Sequence, residues 1–216
     1  GTDVTLTATI SGGSGTCGIT WETSPNGTTG WTVIAGETGT TYTTPALDNF
    51  TLLQTAVYYR AIYTCTGTGC GLSISNTQEI LINPEPVGTP LTPAAICSEA
   101  VTGVTLNVPL AATYNIININ SNGLTAFAGS PATGTGLAAN VLADDAWTNT
   151  TVAPVNVIYT IVPVSGASPN NCLGDPFTVT VTVTPEPVGV ATPATQTVCS
   201  DVAITTIALT TSNSLT

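Results

Sequence analysis

The sequence predicts an all-β protein built from antiparallel β-sandwiches, and two observations carry this prediction. Apolar and polar residues alternate with a period of two in several short stretches, at residues 4–10, 57–63, 114–119, 155–162 and 177–183. Turn-forming clusters of glycine, proline and asparagine lie between these stretches, at residues 12–13, 25–27, 122–123 and 134–136. The one helix-like stretch, residues 137–146, is short. Short strands at this spacing are typical of sandwich domains.

The composition excludes several classes of function. The 216 residues include 12 Asp and Glu but a single basic residue, Arg60, and no His, so the formal net charge is −11. One cation cannot neutralise a run of phosphates, which excludes nucleic-acid binding and attachment to anionic lipid. Without His or Lys, the sequence offers no Ser-His-Asp triad, Schiff-base amine or imidazole zinc site. We therefore predict a protein that is not an enzyme and has no catalytic residues.

Membrane insertion is not expected either. The most apolar stretch, residues 152–167, is interrupted by two prolines and a glycine and is shorter than the ~20 residues that a spanning helix needs. The chain begins inside a predicted strand and stops in a Thr/Ser run. We expect it to be a window from a longer protein.

An internal repeat defines the domain organisation. The sequence Pro-Glu-Pro-Val-Gly occurs at residues 84–88 and again at 185–189, and an apolar-Cys-Ser triplet follows each copy, at 96–98 and at 198–200. Paired prolines fix the backbone in an extended form and make a short, stiff joint. The predicted linker residues are Pro84, Glu85, Pro86, Pro185, Glu186 and Pro187.

This repeat divides the chain into three parts. Residues 1–83 form a first sandwich without its first strand, residues 84–185 form a complete second sandwich, and residues 186–216 are the opening strands of a third repeat. A length of about 100 residues suits a seven-stranded sandwich.

The cysteine content indicates disulfides and an oxidising compartment, since the sequence has six cysteines but neither His nor a CxxC pair. In the second domain, Cys97 and Cys172 form the available pair, and two buried thiols are the alternative. Cys199 occupies the position of Cys97 in the next repeat, so its partner is expected beyond residue 216.

Three further cysteines belong to the first domain. We expect Cys17 to pair with Cys65, and Cys70 to pair with a cysteine upstream of Gly1. Within this window, Cys70 and Cys199 are thus predicted to be unpaired.

The first domain resembles a family of bacterial surface repeats. The motifs are Ile-Thr-Trp-Glu-Thr-Ser-Pro-Asn-Gly at residues 19–27, Thr-Tyr-Thr at 41–43, Tyr-Tyr-Arg at 58–60, and Cys70 ahead of Ser-Asn at 75–76. These residues are similar to the Ig-like repeats of giant secreted proteins of Bacteroidetes. The resemblance implies an Ig-like sandwich.

The second domain resembles the PKD-like repeats of the same proteins, which include the long SprB-like gliding-motility adhesins. The motifs are Pro-Glu-Pro-Val-Gly at residues 84–88, Trp-Thr-Asn at 147–149, Tyr-Thr-Ile-Val-Pro at 159–163 and Cys-Leu-Gly-Asp-Pro at 172–176. The resemblance implies tandem Ig-like and PKD-like domains on a bacterial cell surface. It does not indicate a ligand, because such modules serve adhesins, fibres and the spacers of secreted enzymes.

One acidic cluster is a candidate cation site. Asp144 and Asp145 are adjacent, and with Asp175 or Asn171 they would supply oxygen ligands for calcium. The alternative is an Asx turn or cap ahead of Trp147. No other cofactor is expected.

Aromatic residues offer a second candidate site. Trp21, Trp31 and Trp147 are either a platform for stacking sugars or, as is more common on strand patterns, core residues. Arg60 is expected to pair with a nearby glutamate. Three formal glycosylation sequons start at Asn26, Asn49 and Asn149, and in a bacterial chain they carry no expected function.

These observations favour a non-catalytic stalk segment of a large extracellular adhesin or fibre. Its expected partners are neighbouring repeats of the same chain, identical subunits in a fibre and surface glycans. The first alternative is a self-assembling filament subunit that completes a neighbour's sheet with its own strand. The second is a carbohydrate-binding or spacer module of a secreted hydrolase.

Overall fold

The computed structural model describes residues 1–12, 15–67, 71–166, 171–187 and 189–211. All regular elements in these residues are β-strands, which confirms the all-β prediction. The helix-like stretch, residues 137–146, contains no helix, because its residues 139–144 form successive turns. No helix of the described residues has the length and apolar character that crossing a membrane requires.

The described residues fall into two compact units: unit 1 holds residues 1–86 and also 171–172, and unit 2 holds the others from residue 87 onward. Residues 189–211 group with the second unit, so a separate third domain stays a prediction.

Unit 1 is a sandwich of a larger and a smaller sheet. Its strands are β1 (Thr5–Thr7), β2 (Cys17–Ser24), β3 (Thr32–Val33), β4 (Thr41–Thr43), β5 (Thr55–Cys65), β6 (Ser73–Ile74) and β7 (Gln78–Ile82). The large sheet has the order β3-β2-β5-β6. Both β6 and β7 pair with the same edge of β5: β6 pairs near the end of β5, and β7 pairs with its first half. The small sheet consists of β1 and β4. The core consists of Ile19, Trp21, Tyr42, Tyr59 and Ala61.

Unit 2 has a larger core and a longer central sheet. Its strands are β8 (Ile96–Cys97), β9 (Ala111–Asn120), β10 (Thr125–Ala128), β11 (Gly134–Leu137), β12 (Ala146–Thr148), β13 (Val155–Ser165), β14 (Phe177–Thr184), β15 (Gly189–Thr192) and β16 (Ala208–Thr211). The large sheet has the order β11-β9-β13-β14-β8, whereas β10–β12 and β15–β16 are two-stranded sheets. Alternate residues of β13 and β14, including Val157, Tyr159, Val179 and Val181, are fully buried because they face this core.

The two units share the same arrangement of central strands, and this arrangement defines equivalent positions in them. β5 and β13 have the same length and lie at the centre of their sheets. Thr55 pairs with Ile82 in unit 1, and Val155 pairs with Val183 in unit 2. β7 of unit 1 therefore corresponds to β14 of unit 2.

Candidate functional site

A buried asparagine fixes the end of the last sheet strand in unit 1. The Asn49 side chain donates from Nδ2 to the backbone oxygens of Leu53, at 2.9 Å, and of Ile82, at 2.8 Å. Its Oδ1 accepts from the backbone N–H of Thr51, at 3.0 Å, and from its hydroxyl, at 2.7 Å. The backbone N–H of Glu85 in the linker donates to the Asn49 carbonyl at 3.1 Å.

Unit 2 repeats this arrangement. The Asn149 amide donates to the backbone oxygens of Ala153, at 3.0 Å, and of Val183, at 2.8 Å. Its Oδ1 accepts from Thr151 N–H at 3.0 Å and from the Thr151 hydroxyl at 2.7 Å, and the linker N–H of Glu186 lies 3.5 Å from the Asn149 carbonyl. We call each set an asparagine anchor.

The anchors explain why asparagine stands at these two positions. Asn49 is 5% exposed and Asn149 is 0% exposed, so every polar atom of the side chain needs a partner inside the protein. A carboxylate of the same size has no donor for the two backbone oxygens. In the sequence these residues stand out only as glycosylation sequons; the signal for the anchor is an Asn-x-Thr that begins six residues ahead of each long alternating strand.

The first strand segment of unit 2, from Leu91 to β8, lies beside β14, the strand that runs into the second linker; we call this arrangement the terminal clamp. Leu91 N–H donates to Thr178 O and Leu91 O accepts from Thr180 N–H, both at 2.9 Å. Further along, β8 pairs in parallel with the end of β14, and Ser98 N–H donates to Thr184 O at 2.9 Å. The beginning and the end of the unit are therefore joined by neighbouring parallel strands.

Three of the four linker prolines are buried. Pro84 and Pro86 are buried, as is Pro185, whereas Pro187 is exposed. Each linker therefore begins with a buried proline, directly after the strand that the asparagine anchor holds.

Unit 2 also contains a buried carboxylate network. Tyr159 donates its hydroxyl hydrogen to Asp145 Oδ2 at 2.9 Å and accepts one from Trp147 Nε1 at 2.9 Å. Burial raises the pKa of Asp145 to about 6; the Tyr159 hydrogen bond lowers it and the nearby Asp144 charge raises it. Burial also raises the pKa of Tyr159 above its ordinary value.

This network corrects the predicted calcium site. Asp145 is 2% exposed and bonded to Tyr159, whereas Asp144 and Asp175 are exposed. Across the part of the chain that the structure describes, no group of three or more His, Cys, Asp or Glu side chains could hold a metal ion. The predicted ligand set of Asp144, Asp145 and Asp175 is therefore wrong.

Two of the three tryptophans are core residues. Trp21 packs against Tyr42 and donates from Nε1 to Gly39 O at 2.9 Å, and Trp147 belongs to the core of unit 2. The third, Trp31, is partly buried beneath Arg60, whose guanidinium carbon lies 4.0 Å from the ring centre. A shared platform for sugars does not form.

The prediction that Arg60 pairs with a glutamate is confirmed. Arg60 Nε and Nη2 lie 2.8 and 2.7 Å from Glu22 Oε2. The pair bridges β2 and β5, where the two residues lie directly opposite each other.

One predicted disulfide is formed. Cys17 and Cys65 are bonded and face each other at the ends of β2 and β5. Cys199 is exposed, and Cys70 lies outside the described residues, so its predicted partner stays a prediction.

The predicted disulfide between Cys97 and Cys172 is wrong. Cys97 pairs with Thr184 at the end of β14 and its side chain is exposed. Leu173, next to Cys172, pairs with Val164, beyond the opposite end of β14. The length of that strand separates the two cysteines by roughly 20 Å, whereas bridged Cα atoms lie within about 7 Å.

Comparisons with known families agree with this two-part architecture. Residues 1–84 match a family model described as a domain of unknown function, DUF8696. Residues 94–187 match the model of the PKD-like domain. No curated protein matches the chain. The match to the PKD-like domain falls on the part of the chain where the sequence resemblance predicts it.

Proposed function

We propose that this chain is a load-bearing, non-catalytic stalk segment of a large extracellular adhesin or surface fibre. The observation that carries the proposal is the terminal clamp of unit 2. Its first strand segment and β14, the strand that runs into the second linker, are parallel and side by side. Tension applied to the two ends of the unit pulls these neighbours in opposite directions along their length.

This geometry loads several hydrogen bonds at once. The bonds of Leu91 with Thr178 and Thr180, and of Ser98 with Thr184, all cross between the two sliding strands. They must break together for the strands to separate in shear, whereas strands that are peeled apart lose one pair at a time. The asparagine anchor adds to this resistance because it holds the end of β14 where the linker leaves.

The disulfide of unit 1 limits how far that unit can extend. Cys17 and Cys65 are separated by 48 residues in sequence. At about 3.4 Å per extended residue, the bridge withholds about 160 Å of chain. A stalk that has to transmit tension without unravelling benefits from such a limit.

An extracellular location is supported by the Cys17–Cys65 disulfide, which persists in oxidising compartments, and by the PKD-like match. The adhesive role and the link to gliding motility come from the sequence resemblance.

Single-molecule pulling in two directions tests the load-bearing proposal. Unit 2 within the full chain is attached first at residues 87 and 185, which loads the clamp in shear. In the second geometry, unit 2 is attached at residues 122 and 185, so the force separates neighbouring strands of the sheet one hydrogen-bonded pair at a time. We expect a several-fold higher unfolding force in the first geometry; similar low forces in both would contradict the proposal.

A further inference from the structure

Unit 1 contains a pocket at a place that an aromatic side chain occupies in unit 2. The pocket has a volume of about 320 Å³ and lies between residues 8–12, which follow β1, and the strands β2, β5 and β6. On the core side it is lined by Ile19, Ala61 and Tyr63, which belong to the core of unit 1 or pack against it. We call it the side pocket.

The register of the two large sheets identifies the residue that fills this space in unit 2. Ile19 pairs with Tyr63, and Tyr114 pairs with Pro163. Because β5 and β13 have the same length and correspond residue by residue, Tyr114 stands where unit 1 has Ile19. The Tyr114 side chain is 2% exposed, and its hydroxyl accepts a hydrogen bond from the Val108 N–H at 3.1 Å. Its ring therefore spans the space between β9 and the segment ahead of it.

The smaller residue explains the open space in unit 1. Ile19 has neither a ring nor a hydroxyl group, so space remains between it and Ala8. This explanation requires no strand beside β7. In unit 2 the first strand segment contacts β14 from Phe177 onward, whereas Gly174, the equivalent of Ser73 in β6, precedes these contacts. The side pocket therefore results from the core side chains of unit 1.

The lining of the side pocket suits a small neutral ligand with hydroxyl groups. None of its described lining residues is charged, so an ionic ligand would lose water without gaining a partner for its charge. Apolar side chains line the core side, and the exposed lining residues carry hydroxyls, at Thr9, Ser11, Ser73 and Ser75. Ligand sites commonly combine an apolar lining with a few polar groups, and a volume of about 320 Å³ lies at the lower end of their range. One or two sugar rings have this size and this mixture of apolar and hydroxyl surface.

We propose that the side pocket of unit 1 binds a neutral sugar residue at the end or on a branch of a surface glycan. The apolar face of the sugar packs against Tyr63 and Ile19. The Ser75 hydroxyl already accepts from Ala61 N–H and donates to Asn76 O, both at 2.9 Å. The hydroxyls of Thr9, Ser11 and Ser73 therefore make the contacts with the sugar. Binding at this site goes beyond the load-bearing function, because a stalk carries tension whether the pocket is filled or empty.

Sugar titrations followed by NMR test this site in the full 216-residue chain. The probes are N-acetylglucosamine, methyl α-mannoside and methyl β-galactoside. We expect at least one of them to shift the amide signals of Gly12, Ile19 and Ser73 saturably, with a dissociation constant in the millimolar range. If none of the three sugars causes a saturable shift of these signals, the proposal is overturned.

Pocket-filling variants with a matched control locate the binding. Ile19→Tyr installs the residue of unit 2, and it should abolish binding without lowering the melting temperature, because the new ring fills open space. Ala8→Leu narrows the pocket from its other side and should weaken binding several-fold. The control is Thr20→Tyr, which introduces the same ring at the next position of β2, on the opposite face of the sheet, and should leave binding unchanged.

Full affinity in Ala8→Leu or in a folded Ile19→Tyr variant, or loss of binding in the control, would overturn the proposal. None of these results would alter the pulling test of unit 2, so the two proposals fail separately.

Discussion

The asparagine anchor makes a prediction with a magnitude that follows from its hydrogen bonds. Asn149→Ala removes two donors, to Ala153 O and Val183 O, and one acceptor that serves both polar groups of Thr151. Each bond contributes about 1 kcal/mol net, and buried groups left without a partner cost more. We expect the variant to lower the free energy of unfolding of unit 2 by about 4 kcal/mol.

Urea denaturation followed by tryptophan fluorescence measures this loss, because Trp147 reports on the core of unit 2. With a slope of about 1–3 kcal/mol per molar urea, the midpoint should fall by roughly 1 to 4 M. The matched control is Asn26→Ala, since Asn26 is exposed and its side chain bonds only within its own turn, to Ser24, Thr28 and Thr29. The reasoning is refuted if the two variants shift their transitions equally.

Three further predictions concern ionisable and sulfur groups. The folded pKa of Asp145 is raised above its unfolded value, so the folded state binds the extra proton and its stability falls as the pH rises from about 4 to 6. The stability of the wild type relative to Asp145→Asn should therefore increase on acidification from pH 7 to pH 4.5, and a constant difference would argue against a raised pKa. Replacing Cys17 and Cys65 together by serine should destabilise unit 1 by about 4 kcal/mol, measured by thermal unfolding, because the closed loop spans 48 residues; an unchanged transition would contradict this. Peptide mapping without reductant should recover Cys97 alkylated and Cys17 linked to Cys65, whereas a peptide linking Cys97 to Cys172 would contradict the structure.

The sequence was sufficient for the strands and for one disulfide. Alternation in residues 57–63 and 155–162 predicted parts of β5 and β13, because burial on one face imposes a period of two. Cys17 and Cys65 lie at the ends of such strands, so pairing the strands brought the cysteines together.

The remaining errors have a common physical cause, which is that sequence spacing does not show which end of a sheet a residue occupies. Cys97 and Cys172 both fall within the PKD-like match, but Cys97 pairs at one end of β14, and Leu173, next to Cys172, pairs with Val164 beyond the other end. Asp144 and Asp145 are neighbours in sequence, yet one faces solvent and the other faces the core. The anchors were missed for a different reason: a buried asparagine that bonds to backbone atoms has the same sequence signature as a glycosylation sequon.

The central claim is that a terminal clamp of parallel strands lets a unit bear load, and the two units of one chain test it directly. The oxidised chain is pulled from its two ends, and the unit that opens in each event is identified by the length it releases. Reductant should lengthen only the unit 1 event, by about 160 Å, since only this unit contains the described disulfide. In this chain no strand of the described residues pairs with the outer side of β7, so we predict that unit 1 opens at a clearly lower force than unit 2. Equal forces, or earlier opening of unit 2, would contradict the account.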